Sequence, residues 1–189
     1  MNIQYMESAL RQFKMYKQLG EKAIAQMSDD SLNWQANADS NSVANIVKHL
    51  HGNMLSRWTD FLTTDGEKEW RKRDEEFEPE QLGRAALVSQ WEEGWKCLFN
   101  ALEGLSDDDL TKIIYIRNQG HTVLEAIFRQ VAHYSYHVGQ IVYIAKLCSH
   151  DNRNSLSIPR NKSAEYNSEK FAKEKERKHF TDEFLKDGK

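Results

Sequence analysis

The sequence predicts an all-α fold, a bundle of four long helices, on three observations. Two prolines and nine glycines in 189 residues leave long uninterrupted stretches, and good helix formers such as Leu, Glu, Lys, Gln and Ala are abundant. Apolar residues recur at steps of three and four through most of residues 3 to 147. Only one short β-rich patch interrupts them, which predicts a small β-hairpin inserted before the last long helix.

The first helix is expected over residues 3 to 26, where Ile3, Met6, Leu10, Phe13, Tyr16, Leu19, Ala23 and Met27 mark one face. Ser28-Asp29-Asp30-Ser31 is cap and turn chemistry, Leu32 and Trp34 suggest a short helical step, and residues 36 to 41 form a polar loop. The second long helix starts near Ser42, buries Val43, Ile46, Val47, Leu50, Met54, Trp58 and Phe61, and frays at Thr64-Asp65-Gly66. A long charged loop follows from Glu67 to Pro79. The third long helix runs from about Leu82 to Leu102, through Leu87, Trp91, Trp95, Leu98 and Phe99, and stops at Gly104. Asp107-Asp108-Asp109 opens a short solvated turn; adjacent carboxylates on a helix point apart, so it predicts no metal site.

Lys112-Ile113-Ile114-Tyr115-Ile116 and the segment after Asn118-Gln119-Gly120 predict the hairpin. Thr122-Val123-Leu124-Glu125 is a capping box, in which hydroxyl and carboxylate satisfy free N–H groups at a helix start. The fourth long helix then runs to about Leu147, with Leu124, Ile127, Phe128, Val131, Ser135, Val138 and Val142 as its main apolar stripe. From His150 the chain turns polar and lysine-rich, although Leu156-Ser157-Ile158-Pro159 could pin it to the body. The expected organisation is one helical domain over residues 1 to 160 and a charged tail over 161 to 189, partly helical or disordered.

A net charge of −3 supplies no reason to expect nucleic acid or an anionic membrane as partner. Cys97 and Cys148 are too few for a disulfide framework or a paired-cysteine motif, which fits a reducing cytoplasm. The polar start of the chain and the lack of any apolar run near ~20 residues predict neither a signal peptide nor a membrane span.

The chemistry is concentrated in His133 and His137 of Ala132-His133-Tyr134-Ser135-Tyr136-His137-Val138-Gly139-Gln140. On a helix this i, i+4 spacing sets two imidazoles on one face with Cβ atoms roughly 5–6 Å apart, close enough for each to place a nitrogen ~2.0–2.1 Å from one ion. The expected stripe points away from them, so ligands and structural histidines are equally good readings of the pattern. A third ligand would come from Val43-Ala44-Asn45-Ile46-Val47-Lys48-His49-Leu50-His51. His49 and His51 lie about 200° apart on a helix, so only one can face the ion. Periodicity slightly favours His51, while His49 begins a polar column with Asn53 and Arg57. Both cysteines read as packing residues, and no role is assigned to His121, His150 or His179.

The chain resembles the DinB/YfiT-like superfamily, within it a branch of small bacterial proteins of uncharacterised function. The resemblance rests on Ser42-Val43-Ala44-Asn45-Ile46-Val47-Lys48-His49-Leu50, Gly52-Asn53-Met54-Leu55-Ser56-Arg57-Trp58, Gly120-His121-Thr122 and the His133 to Gln140 segment, and spans the first helix to about Pro159. It implies a four-helix bundle in up-down-down-up order, a homodimer, and a divalent metal held by His49, His133 and His137. It thereby selects His49, which an apolar residue follows, over His51. Characterised relatives include thiol-dependent transferases and isomerases, so a low-molecular-weight thiol becomes a candidate cosubstrate.

The leading functional expectation is a metal-dependent enzyme in which three histidines leave an open position that activates a thiol or water on a small-molecule substrate. Zinc is the default ion, with nickel, iron or manganese as alternatives, because three nitrogens do not select among them. Asn53, Arg57 and Tyr136 are candidate substrate contacts, each with a structural alternative: helix-to-helix bonding, ion pairing and packing respectively. The competing expectations are a metal- or small-ligand-binding stress protein without turnover, and a scaffold whose histidines satisfy one another.

Overall fold

The computed structural model describes residues 4–78, 80–149 and 154–185. Among them the chain is mostly helical, with one two-stranded antiparallel sheet. Ile3, Pro79 and His150 lie outside the described residues. The long helices are α1 (Gln4–Ala25), α3 (Val43–Trp58), α4 (Arg84–Glu103) and α5 (Val123–Cys148), joined by the short α2 (Asp29–Leu32) and followed by α6 (Ser163–Phe171). Strands β1 (Ile113–Ile116) and β2 (Gln119–Thr122) pair with Ile113 opposite Thr122, immediately before α5. No helix of the described residues is long and apolar enough to cross a membrane.

Local chemistry explains where the site-bearing helices begin. Ser42 caps α3 by accepting from the Asn45 backbone N–H, and the Asn45 side chain accepts in return from the Ser42 backbone. Thr122 and Glu125 make the same reciprocal arrangement at α5. Each box satisfies donors that a helix start otherwise leaves free.

The main packing partners are α3 with α4 and α1 with α5, with further contacts of α3 on α5 and α1 on α4. At the centre Phe13, Trp95 and Tyr134 meet, with ring centroids 5.7 Å apart for Phe13–Tyr134 and for Trp95–Tyr134. Tyr134 is fully buried, so its hydroxyl must find partners. It accepts from Trp58 Nε1 at 3.1 Å and donates to Asn53 Oδ1 at 3.1 Å. This locks the rotation of α5 against α3. Gly20 lets α1 approach α4 closely, since a Cβ there would fall 2.6 Å from Cζ2 of Trp91.

Several expectations from the sequence need correction. Helix α3 ends at Trp58 instead of fraying at Thr64-Asp65-Gly66. Asp60 adopts φ 48°, a left-handed conformation that aspartate tolerates better than most residues, and its carbonyl then accepts from the Thr63 and Thr64 N–H groups. The hairpin turns at Arg117 and Asn118, both with positive φ (55° and 59°), as a two-residue type I′ turn requires; Gln119 and Gly120 belong to β2. Asp65 stabilises that turn by accepting from the backbone N–H groups of Arg117 and Asn118, each at 2.8 Å.

The buried face of α5 is also rotated from the expected stripe. It comprises Val123, Ala126, Ile127, Gln130, Tyr134, His137, Val138, Ile141 and Ala145, while Phe128 is 53% exposed. Alanines and bonded polar side chains carry this face, so its hydrophobic signal is weak. The charged tail carries one short helix and docks in part on α1. Helix α6 is exposed, but Thr181 is buried, His179 bonds Ser8 Oγ at 2.9 Å, and Asp182 pairs with Arg11 on α1. Leu156 packs against the core, whereas Ile158 stays exposed.

Candidate metal centre

The roll of α3 and α5 brings His49, His133 and His137 together, with one ring nitrogen from each within 4.8 Å of the others. His49 Nε2 lies 3.3 Å and His137 Nε2 lies 3.1 Å from His133 Nε2. Two nitrogens that ligate one tetrahedral ion at ~2.0–2.1 Å stand about 3.3 Å apart. These two separations match that spacing, and with the third nitrogen pair within 4.8 Å the cluster is compatible with a metal site.

The other ring nitrogens explain the orientation. His49 Nδ1 is 2.8 Å from Glu76 Oε2, His133 Nδ1 is 3.3 Å from Gln130 Oε1, and His137 Nδ1 is 2.8 Å from Gln140 Oε1. A carboxylate and two amide oxygens only accept, so each Nδ1 carries the hydrogen and each Nε2 presents a lone pair. Gln140 is itself fixed, since its Nε2 donates to the Tyr136 hydroxyl at 3.1 Å. Acceptors behind ligating imidazoles set ring tautomer and aim in known metal sites. Three lone pairs facing one point repel one another unless a cation lies between them.

Burial, reinforced by the neighbouring histidines and by Arg57 and Arg71, pushes His133 down to about 3. Burial and His49 push His137 down to about 4, against the raising effect of Gln140. Both rings are therefore neutral at pH 7, the form that ligates. Because both folded values lie below the ordinary 6.5, the unfolded chain binds more protons in the interval between them. Their contribution to stability is full above about pH 6.5 and is lost as pH falls towards 4 and 3. Urea unfolding of metal-free protein between pH 7.5 and 4.5 is expected to show a falling midpoint, with a shallower fall in a His133→Gln/His137→Gln variant. Identical slopes would exclude these two rings as the source.

Glu76 sits in a short 3-10 turn (Asp74–Glu76) inside the charged segment that the sequence predicts as a loop. Burial works to raise its carboxyl, but hydrogen bonds from His49 and Arg71 outweigh it and hold the group below the ordinary carboxylate range. Arg71 binds both oxygens, Nε to Oε1 at 2.7 Å and Nη2 to Oε2 at 2.9 Å. The segment can reach α3 because residue 52 is glycine: a Cβ there would overlap Glu76 Oε1 and lie 3.0 Å from its Cδ. Gly52→Ala is expected to expel Glu76 from His49 and Arg71 and to destabilise the protein by about 3 kcal/mol, the scale of a broken buried ion pair. An unchanged urea midpoint would show that the carboxylate has another place to go.

The histidines form the floor of a cleft of about 370 Å³. Asn53, Arg57 and Tyr136 all border it. Asn53 is bonded to Tyr134, Arg57 donates to the Gly66 carbonyl and pairs with Glu67, and Tyr136 is 62% exposed. His51 points elsewhere and pairs with Glu93 of α4 at 3.0 Å. Cys97 and Cys148 are free thiols, and burial raises both. His121 belongs to β2 and His179 to the docked tail.

Sequence reasoning missed Glu76, Arg71, Gln130 and Gln140. The glutamines carried a readable signal, standing three residues before His133 and three after His137, where helical neighbours meet. Glu76 and Arg71 carried none, because a loop has no period.

No curated protein and no solved structure matches the chain. A family described as "Protein of unknown function (DUF1572)" matches residues 1–162, a span that contains all three histidines, their acceptors and the cleft. The chain therefore belongs to the DUF1572 family of proteins of unknown function.

Proposed function

We propose that this chain is a divalent-metal-dependent enzyme whose ion is held by His49, His133 and His137. The observation that carries this reading is the convergence of three Nε2 lone pairs, each aimed by an acceptor on its Nδ1, at the floor of a cleft. Structural zinc sites take four protein ligands, whereas three ligands and a cleft suit catalysis. The ion would lower the pKa of a thiol or water at the remaining position. Zinc is the default, with nickel, iron or manganese as alternatives, and a low-molecular-weight thiol is the candidate cosubstrate. The chain's own residues supply the rest: Glu76, Gln130 and Gln140 hold ring orientation, and the cleft walls limit solvent.

On this reading α1, α3, α4 and α5 are the four members of a DinB/YfiT-like bundle in up-down-down-up order, comprising residues 1 to 160, with 161 to 189 as an appended tail. The cyclic pattern of helix contacts supports it. The exposed Phe128, Tyr136, Tyr143 and Leu147 on α5 support a homodimer.

Elemental analysis of protein purified without a histidine tag is expected to find about one divalent ion per chain. Loaded protein is then screened with thiol and electrophile pairs and with hydrolysable esters. Absence of metal under every loading condition would end the proposal, and loaded protein inert across the screen would leave a metal-binding protein without turnover.

A further inference from the structure

The cleft over the histidines has a one-sided charge. Arg57, Arg71, Arg73, Arg117 and Arg129 line it, and among the described residues no carboxylate does. They come from four separate stretches of chain: α3, the charged segment, the hairpin turn and α5. A solvated charge run on one helix face would not produce this convergence.

The nearby acidic groups, Asp65, Glu67, Asp74 and Glu76, number one fewer than the arginines. Glu76 is occupied by Arg71 and His49. Glu67 is shared, at 3.2 Å from both Arg57 and Arg117 and 3.8 Å from Arg71. Among the described residues Arg73 has only the exposed Asp74 as acidic partner, at 3.9 Å, and lies over the Phe77 ring at 5.3 Å. Arg129 has no acidic partner among the described residues. Arg57 is 8% exposed, yet its Nε is buried with no hydrogen-bond partner.

A guanidinium keeps its charge at any physiological pH. Its planar fork matches the oxygens of a carboxylate or phosphoryl group. Arg117 is moreover held at φ 55°, by a backbone bond to Asp65, in a conformation that arginine does not favour. We propose that this cleft binds its substrate through an oxyanion, a carboxylate or phosphoryl group, gripped by Arg73, Arg117 and Arg129, so that the rest of the molecule extends to the three histidines. The position of the reacting end rests on the enzymatic reading above; the oxyanion grip does not.

The test is calorimetric titration of the full chain, metal-free and metal-loaded, at low ionic strength, with succinate, inorganic phosphate and glycerol 3-phosphate in separate arms, and glycerol as neutral control. One anion class is expected to bind metal-free protein at about one per chain, and glycerol not at all. Arg129→Gln and Arg73→Gln, both at exposed positions, are each expected to weaken binding about tenfold, as loss of a charge-assisted hydrogen bond does, with Arg129→Lys intermediate. The succinate and phosphate arms decide between the two oxyanions. The proposal is overturned if no anion binds, or if binding needs the metal and ignores both arginine variants. Arginine-dependent binding by a protein that takes up no metal would instead overturn the enzymatic reading and leave this one standing.

Discussion

Glu76→Ala is expected to destabilise the protein by about 3–5 kcal/mol, the range for removing one partner of a buried ion pair. The intact pair itself adds little net stability, because desolvating both charges offsets most of their attraction. The loss arises from what is left behind. The Arg71 side chain is 2% exposed, and without Glu76 it keeps only Glu67, at 3.8 Å. His49, 5% exposed, loses the acceptor that fixes its tautomer. Glu76→Gln retains an acceptor oxygen and should cost less. Urea unfolding measures both, and a loss for Glu76→Ala below about 1 kcal/mol, the scale of an exposed pair, would mean that solvent already reaches the segment. If the site holds an ion, metal affinity should fall about 10–100-fold as well, the usual effect of deleting an acceptor behind a ligand.

His49→Ala and His137→Ala are each expected to abolish stoichiometric metal binding, whereas His51→Ala should retain it. Two imidazoles form an incomplete site, and His51 is engaged with Glu93 on the α4 side of α3. Thermal unfolding supplies a second signature. A ligand at about 1,000 times its Kd stabilises the folded state by about 4 kcal/mol, and that gain should vanish in both site variants. Their metal-free forms should be affected much less, since removing one of three opposed lone pairs relieves repulsion while it loses packing. Metal retained by His49→Ala and lost by His51→Ala would reverse the assignment.

How the sequence relates to this arrangement differs from residue to residue. The capping boxes at Ser42 and Thr122, the steps of three and four along α1, and the i, i+4 spacing of His133 and His137 are local patterns that hold in any helix with those residues. They are legible in the order of the amino acids alone, as is the hairpin between α4 and α5. The end of α3 is not, because it depends on Asp60 adopting positive φ and on Gly66 donating to the Tyr115 carbonyl, across to β1.

The sequence by itself determined that two imidazoles share a helical face and that a third stands on another helix. Periodicity left open which third histidine joins them; the family resemblance pointed to His49, and the tertiary structure brings His49 there. His49 and His51 flank the apolar stripe almost symmetrically, so the choice depends on the roll of α3. That roll is set where α4 packs on it, with Gly94 against the His51 backbone, and where Tyr134 of α5 bonds Asn53 and Trp58. Arg57 stood in the polar column with His49 and Asn53 and was legible, but Glu76 and the other four cleft arginines were out of reach. Periodicity relates residues one turn apart on one element, whereas a carboxylate behind a ligand, or guanidinium groups drawn from four segments, are brought together only when loops and helices pack.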